Sequence, residues 1–315
     1  MQRAQLSRGT SSDRWGRIRR RIWRNRYIYL MILPVLIYLA LFKYMPMWFL
    51  KTAFYDYKLL RRFDGSKFVR FKWFVKLFTN PHLMTYITNT LKLNISYMVF
   101  LFPLPMVFAI LLNELRSVHF KKTVQTISYL PHFVSTVVLV SMITTILSPS
   151  LGLFGRIARN AGYTPIDYLQ QPQYFVAINV ISGFWQAVGW DAVIYMSALA
   201  GIDQGLYEAA RIDGANRWKQ ILHVTLPGLS TTFILLFIMR MGQMLSVNFE
   251  KVYLLQNNLN LPASEMLPTF VYKTGMVSHN YGYATAAGLF NSVISLVLVF
   301  FANYLSKRVT DISLM

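Results

Sequence analysis

The chain has 315 residues, 55% of them hydrophobic and 16% aromatic, and only 14% are charged. Apolar runs of about 20 residues, the length that crosses a bilayer, exclude an ordinary soluble domain, and the absence of cysteine excludes disulfides, thiol nucleophiles, cysteine metal ligands and a lipid-modified N-terminal cysteine. The formal net charge of +20 lies between the apolar runs, where it suits topology and anionic headgroups rather than nucleic acid.

Residues 1–26 hold nine arginines against one acid, Asp13. No small-residue cleavage site follows the next apolar run, so this reads as a basic cytoplasmic arm before an uncleaved span. Span one is predicted over Tyr27–Phe49, kinked at Pro34. Leu50–Tyr86 is amphipathic, with Lys51, Lys58, Arg61, Arg62, Lys67, Arg70, Lys72 and Lys76 interleaved with Phe54, Tyr55, Tyr57, Phe63, Phe68, Phe71, Trp73 and Phe74. Two readings of it stand. It lies on lipid with its basic heads snorkelling to phosphates, or it attracts an anionic solute or an acidic binding protein to the outer mouth.

Span two is predicted over Ile87–Leu112, broken by Pro103 and Pro105, and a short turn Glu114–Lys122 follows. Span three covers Val124–Leu147, with Pro131 near its start. Ser148–Gln173 is a loop with a short interfacial helix, and span four is Tyr174–Ala200. After a polar stretch, Gly201–Leu229, span five covers Leu229–Leu255. Gln256–Asn280 returns to the outer side, and span six is Tyr281–Leu305, followed by Lys307 and Arg308. There are no internal repeats.

The polar stretch between spans four and five organises the chain. Asp203 is placed to cap a short helix. Leu206, Ala209, Ala210 and Asp213 share one face of it at helical spacing, and Glu208 and Arg211 the other. Gly214 is placed to end it in the left-handed conformation. A second short helix is predicted over Asn216–His223, and Pro227 restricts the chain at the start of the next span. The two alanines leave a shallow face that another protein's groove can approach closely.

Glu208-Ala209-Ala210 is followed by three residues, Gly214, nine more residues, Val224, Thr225, Leu226 and Pro227. This spacing resembles the EAA loop of binding-protein-dependent ABC importer permeases, with Val224 where the pattern prefers Ile. Residues 85–305 are similar to the permease domain of carbohydrate importers of the MalF- and LplB-like group. Asn89-Thr90-Leu91, Ile202-Asp203, Asn248-Phe249-Glu250 and Tyr283-Ala284-Thr285-Ala286 look most like the polysaccharide branch. The resemblance implies an all-α integral membrane protein of six transmembrane helices with the type I importer permease fold, in the bacterial cytoplasmic (inner) membrane. It further implies a second homologous permease subunit, two ATPase subunits and an extracytoplasmic solute-binding protein that delivers an oligosaccharide. On this reading the domains are a basic arm (1–26), a first span with its outer segment (27–84), the permease domain (85–305) and a cytoplasmic tail (306–315). Charge counting leaves the orientation open; a cytoplasmic ATPase partner for the loop settles it.

What the resemblance implies for the site is ATPase coupling through Glu208, Ala209, Ala210, Arg211, Asp213, Gly214, Leu226 and Pro227, with Glu208 as a charged contact and Gly214 as a backbone turn. Inside the membrane, Asp191 and Arg240 each lie roughly 16 Å from the cytoplasmic end of sequential antiparallel spans, at about 1.5 Å per residue. Either they form a buried pair that keeps the two helices in register, or they face the aqueous path separately. Gln186, Trp190 and Gln243 are candidates for the substrate path by their depth, against the plainer role of helix–helix contact. The basic outer segment favours an anionic sugar of the alginate or uronate type over a neutral one.

The five histidines show no metal-ligand spacing, and no phosphate-binding GxxxxGK[ST] loop is present. The chain is therefore expected to hold no cofactor, ATP and Mg belonging to the partner subunits, and to be no enzyme. A membrane-embedded enzyme would need clustered acids or histidines at one depth. A passive channel would not need the Glu208–Pro227 pattern.

Overall fold

The computed structural model describes residues 23–244 and 248–310, which are helical over most of their length. It divides into two units, Met1–Thr52 and Ala53–Met315. In the first, α1 (Arg26–Leu39) carries Pro34 without ending there, and a π turn over Ala40–Tyr44 continues it. Its apolar side chains, half-buried Leu39 apart, are exposed, which is tolerable only where the surrounding solvent is itself apolar. Most of the basic arm lies outside the described residues.

The second unit begins with a hairpin, β1 (Tyr55–Lys58) paired antiparallel with β2 (Arg62–Phe68), then α2 (Lys72–Phe78). The amphipathic segment, read above as lying on lipid or as drawing an anionic solute, is folded onto the chain's last helix. The indole of Trp73 donates to the carbonyl of Tyr55 at 2.9 Å, and its ring stacks on Tyr283. Lys76 sits over Tyr283, its nitrogen 4.9 Å from the ring centre. The close approach requires a residue without a side chain at 282: a Cβ on Gly282 would lie 2.6 Å from the Tyr55 carbonyl and would strike the Trp73 indole. Ala53, Trp73, Leu77, Leu83, Leu267, Tyr283, Ala286 and Ala287 close around this contact as one buried cluster.

The helices then follow as α3 (Leu83–Ser96), α4 (Leu104–Asn113), α5 (Val118–Tyr129), α6 (Thr136–Leu147), α7 (Leu153–Asn160) and α8 (Phe175–Ala200). A π turn, Tyr97–Leu101, carries α3 toward α4. The chain is one long helix over Leu83–Asn113, despite Pro103 and Pro105, because both prolines fall at a helix start, where the missing N–H has no partner to lose. Span three is not straight. Val118–Phe133 and Thr136–Leu147 meet at 98°, with Ser135 capping the second half by accepting from the Val138 N–H.

After α8 come α9 (Gln204–Ile212), α10 (Arg217–Gln220), α11 (Leu226–Gln243), α12 (Phe249–Leu255), α13 (Leu267–Tyr272) and α14 (Tyr281–Thr310). Span five, predicted as one run to Leu255, is divided: α11 ends at Gln243 and α12 begins after Asn248, whose φ of 64° is left-handed. Tyr281 does open the last long helix, where the sequence places it.

Among the described residues, four helices are long and apolar enough to cross a membrane: Arg26–Phe54, Leu83–Asn113, Arg217–Gln243 and Tyr281–Tyr304. The bent pair makes a fifth if its halves count together. The 26-residue α8 is not among them, since Asn179, Gln186 and Asp191 interrupt its apolar run. Yet α8 is the central element of the bundle, packed on α3, α4, α5 and α11.

Candidate coupling loop and intramembrane polar site

The loop between α8 and α11 is built from local signals. Asp203, extended at φ −61° and ψ 124°, accepts the Gly205 N–H at 2.9 Å and so caps α9. At the other end Gly214 has φ +75°. Its N–H donates to the Arg211 carbonyl at 3.0 Å, and the Ala215 N–H donates to the Ala210 carbonyl at 2.8 Å. This is the doubly bonded Schellman ending, in which only a glycine takes the left-handed position without steric cost. Asn216 then caps α10 by accepting the Lys219 N–H at 3.0 Å.

The second short helix does not stop at His223. It passes through a π turn over Ile221–Thr225 into α11, so Arg217–Gln243 is one continuous helix. Pro227 sits in the first turn of α11, at the start of the span where the sequence places it. The widened turn lies directly before it and carries the helix on across the proline. The loop is thus rigidly joined to α11, and Tyr207 ties α9 to the same helix through a 3.0 Å hydroxyl contact with Thr225. Arg217 pairs with Glu114 at 2.7 Å, joining α10 to the end of α4.

Of the predicted coupling residues, Glu208, Ala209, Arg211, Asp213, Gly214 and Pro227 are exposed, while Ala210 and Leu226 are half-buried. Leu206, Ile212, Trp218 and Leu222 stand in the open as well, Ile212 at 86% exposure. Among the described residues, nothing covers these apolar side chains of the loop.

Within the bundle, Arg240 Nη2 lies 3.4 Å from Asp191 Oδ2, joining α11 to α8. Both side chains remain more than a third exposed, because they line a cavity with Gln243, Tyr195, Phe102 and Pro105. Gln186 is placed elsewhere: its amide donates to the Val134 carbonyl at 3.1 Å, satisfying a backbone group freed by the break between α5 and α6. Trp190 stacks on His132, the rings 4.6 Å apart and 5° from parallel. So the three polar candidates separate, and Gln243 alone shares a cavity with the charged pair.

One buried cation escapes a sequence reading. Lys251, on α12, is 3% exposed and donates to the Tyr97 hydroxyl at 2.7 Å, the Asn179 carbonyl at 3.0 Å and the Ser182 hydroxyl at 3.3 Å. Among the described residues no carboxylate pairs with it. Three oxygens from α3's extension and α8 replace its hydration, fastening α12 to both. A lone lysine within the predicted span five was the available signal, since an ammonium at that depth demands partners.

A helical bundle with membrane-length apolar segments, polar groups turned inward and a helix–turn–helix projecting from its central pair defines a membrane permease subunit. The chain belongs to the family of binding-protein-dependent transport system inner membrane components, whose model matches residues 102–311. It is accordingly a non-catalytic inner-membrane subunit that works with a binding protein. It is similar to the polygalacturonan/rhamnogalacturonan transport system permease protein YteP of Bacillus subtilis (strain 168), 40% identical over 285 residues that cover 90% of this chain and 89% of that one. Protein LplB of the same organism is 38% identical over 285 residues, 90% of each chain. Among solved structures, a chain of a bacterial ABC transporter involved in the import of the acidic polysaccharide alginate superposes with a TM-score of 0.86 at 37% identity, covering 93% of this chain and 99% of that one. The alginate transporter in complex with an alginate pentasaccharide-bound periplasmic protein gives a TM-score of 0.86 at 36% identity, covering 94% and 99%.

Proposed function

We propose that this chain is one half of a permease pair in an ABC importer that moves an anionic oligosaccharide by alternating access. Its six spans are α1, the α3–α4 helix, the bent α5–α6 pair, α8, α11 with α12, and α14. The α8–α11 loop faces the cytoplasm. Two ATPase subunits, which hold the ATP and Mg, engage the complex there, and α9 docks in a cleft of one of them. Glu208 makes a charged contact, Ala209 and Ala210 allow close approach, and Gly214 fixes the turn. Closure of the ATPases moves α9 as a lever, and the unbroken helix Arg217–Gln243 carries that motion into the membrane. The Asp191–Arg240 contact keeps α8 and α11 in register as it passes.

The observation that carries this reading is the exposed, doubly capped helix–turn–helix bearing the Glu208–Pro227 pattern and running without a break into α11. The anionic substrate is supported by the named cargo of two relatives, polygalacturonan/rhamnogalacturonan for one and alginate for the other.

The test is purification of the chain from its native membrane with its neighbours, followed by ATPase assay with the loaded solute-binding protein. The reading expects a second permease and an ATPase in the complex, with hydrolysis stimulated by uronate oligosaccharides. Stimulation by neutral sugars alone would refute the anionic assignment, and a complex without an ATPase would refute the importer.

A further inference from the structure

We infer that Lys92 and the recess beside it form a binding site for an anionic phospholipid, the headgroup phosphate resting on the lysine and an acyl chain running down the face of α3 below it. Lys92 lies on the long helix Leu83–Asn113. Counted back from Leu112, about 20 residues reach Leu93, roughly 30 Å at about 1.5 Å per residue, which is the thickness of a bilayer's hydrocarbon. Lys92 comes next. Its ammonium therefore stands at headgroup level, at the end of the bundle away from the α9–α10 loop.

The recess has fixed walls and one uncompensated charge. Lys92 is exposed and lines a cavity of about 340 Å³ with Asn89, Pro172, Gln173, Val176 and Pro262. The Asn89 amide donates to the carbonyls of Pro262 at 2.8 Å and Glu265 at 3.1 Å, which pins the turn Leu261–Ser264 against α3. Gln173 gives one amide N–H to Gln171 at 3.0 Å and keeps the other. Glu265, at the edge of that wall, already gives its carboxylate to Lys273. Among the described residues no carboxylate pairs with Lys92, and no other charged residue lines the cavity. A cation within a membrane helix that the chain itself leaves unpaired calls for an anion.

What lies below the lysine selects the ligand. Ile95 and Val99 follow Lys92 on one face of the helix, at spacings of three and four residues, and are 50% and 58% exposed. Val176, from α8, extends the apolar wall of the recess. A free sugar acid would meet the ammonium but find no hydroxyl partner along Ile95 and Val99. A phospholipid meets both halves. Its phosphate accepts from Lys92 and from the remaining Gln173 N–H, and its chain covers the two aliphatic side chains. Lysines at the hydrocarbon edge draw anionic lipids in this way. A headgroup of net negative charge is favoured over a zwitterion, whose own ammonium would face Lys92. The lipid held there fills the gap between α3 and the entry to α8.

The site needs only a bilayer around α3 and is independent of the cargo. The chain has no cysteine, so Phe100→Cys, exposed beside the lipid face rather than on it, takes a bimane label alone in this polypeptide. The labelled chain, purified with its neighbouring subunits, is placed in nanodiscs of phosphatidylcholine, with phosphatidylglycerol or phosphatidylcholine brominated on the acyl chains added as quencher. Brominated phosphatidylglycerol is expected to quench at about fivefold lower mole fraction than brominated phosphatidylcholine, the factor one lysine supplies against an anionic lipid. Lys92→Gln should make the two lipids equal, and Lys92→Arg should restore most of the preference. Equal quenching with Lys92 in place overturns the inference. So does a preference that survives Lys92→Gln, which would belong to the general basic charge of the chain, or an absence of quenching by either lipid, which would put protein over this face. If the lipids quench equally and Lys92→Gln abolishes binding of digalacturonate, the ammonium serves a sugar acid and the lipid site falls.

Discussion

Two polar stretches, the basic hairpin segment and the charge-balanced loop between α8 and α11, are finished in different ways. The hairpin and α2 close on themselves and on α14: Trp73, Tyr283, Leu77 and Ala286 are buried, and the one demanding hydrogen bond, indole to Tyr55, is made within the chain. The loop between α8 and α11 is equally well ordered by its caps, yet Leu206, Ile212, Trp218 and Leu222 are left uncovered. Burial of apolar area stabilises by about 25 cal/mol per Å², so these four side chains add little to the stability of the loop itself. The first stretch has a buried cluster of its own against α14, although Leu60, Phe68, Phe71 and Phe78 stay exposed; α9 and α10 bury no side chain at all.

That contrast can be broken from either end. The largest effect is expected at the turn of the loop. Gly214→Pro removes the N–H that bonds the Arg211 carbonyl and forbids φ +75°, so the variant should insert normally in the membrane yet lose ATPase association in a pull-down. Gly214→Asn, which tolerates the left-handed region, should retain most of it. On the other side, Gly282→Ala places a methyl against the Tyr55 carbonyl and the Trp73 indole. Overpacking of this kind costs about 1–3 kcal/mol, read as a lower melting temperature with ATPase association intact.

Smaller effects sharpen the comparison. Lys251→Met strips the Tyr97 hydroxyl of the donor it accepts from, while the Asn179 carbonyl keeps the Tyr97 and Ser182 O–H donors, and should destabilise by about 1–3 kcal/mol, the cost of leaving a buried acceptor unmet. Tyr97→Phe in the same background should then cost much less than it does alone, a double-mutant test of the clamp. Arg217→Ala breaks an ion pair whose side chains are 59% and 34% exposed. Surface pairs contribute about 0–1 kcal/mol, so melting should be nearly unchanged.

The same contrast explains what a reader of the sequence can see. The cap at Asp203, the left-handed Gly214 and the Asn216 turn are decided by neighbours within a few residues, and all three stand where the pattern puts them. Tyr281 opening α14 is legible for the same reason. The hairpin is not, because nothing near Tyr55 announces Gly282, more than two hundred positions away, whose missing side chain makes room for Trp73. The break at Ser135 is similarly sealed from a distance, by Gln186 on α8. Pro227 stands at the start of α11 as the sequence places it, but the end of the second short helix at His223 does not hold, because a π turn carries that helix on into α11. For the intramembrane site, Asp191, Arg240 and Gln243 are visible as polar residues at depth. Tyr195 passes as one more aromatic until its hydroxyl is found without a partner, and Lys251 passes as part of an apolar span until three oxygens are found around it.

The most direct test of the account is the charge reversal Glu208→Lys on exposed α9, assayed in the reconstituted complex for ATP hydrolysis stimulated by the loaded solute-binding protein. The account predicts that stimulation is lost or the ATPase dissociates, while the chain's melting temperature and membrane insertion match wild type. Full stimulation and normal uptake in that variant would contradict it.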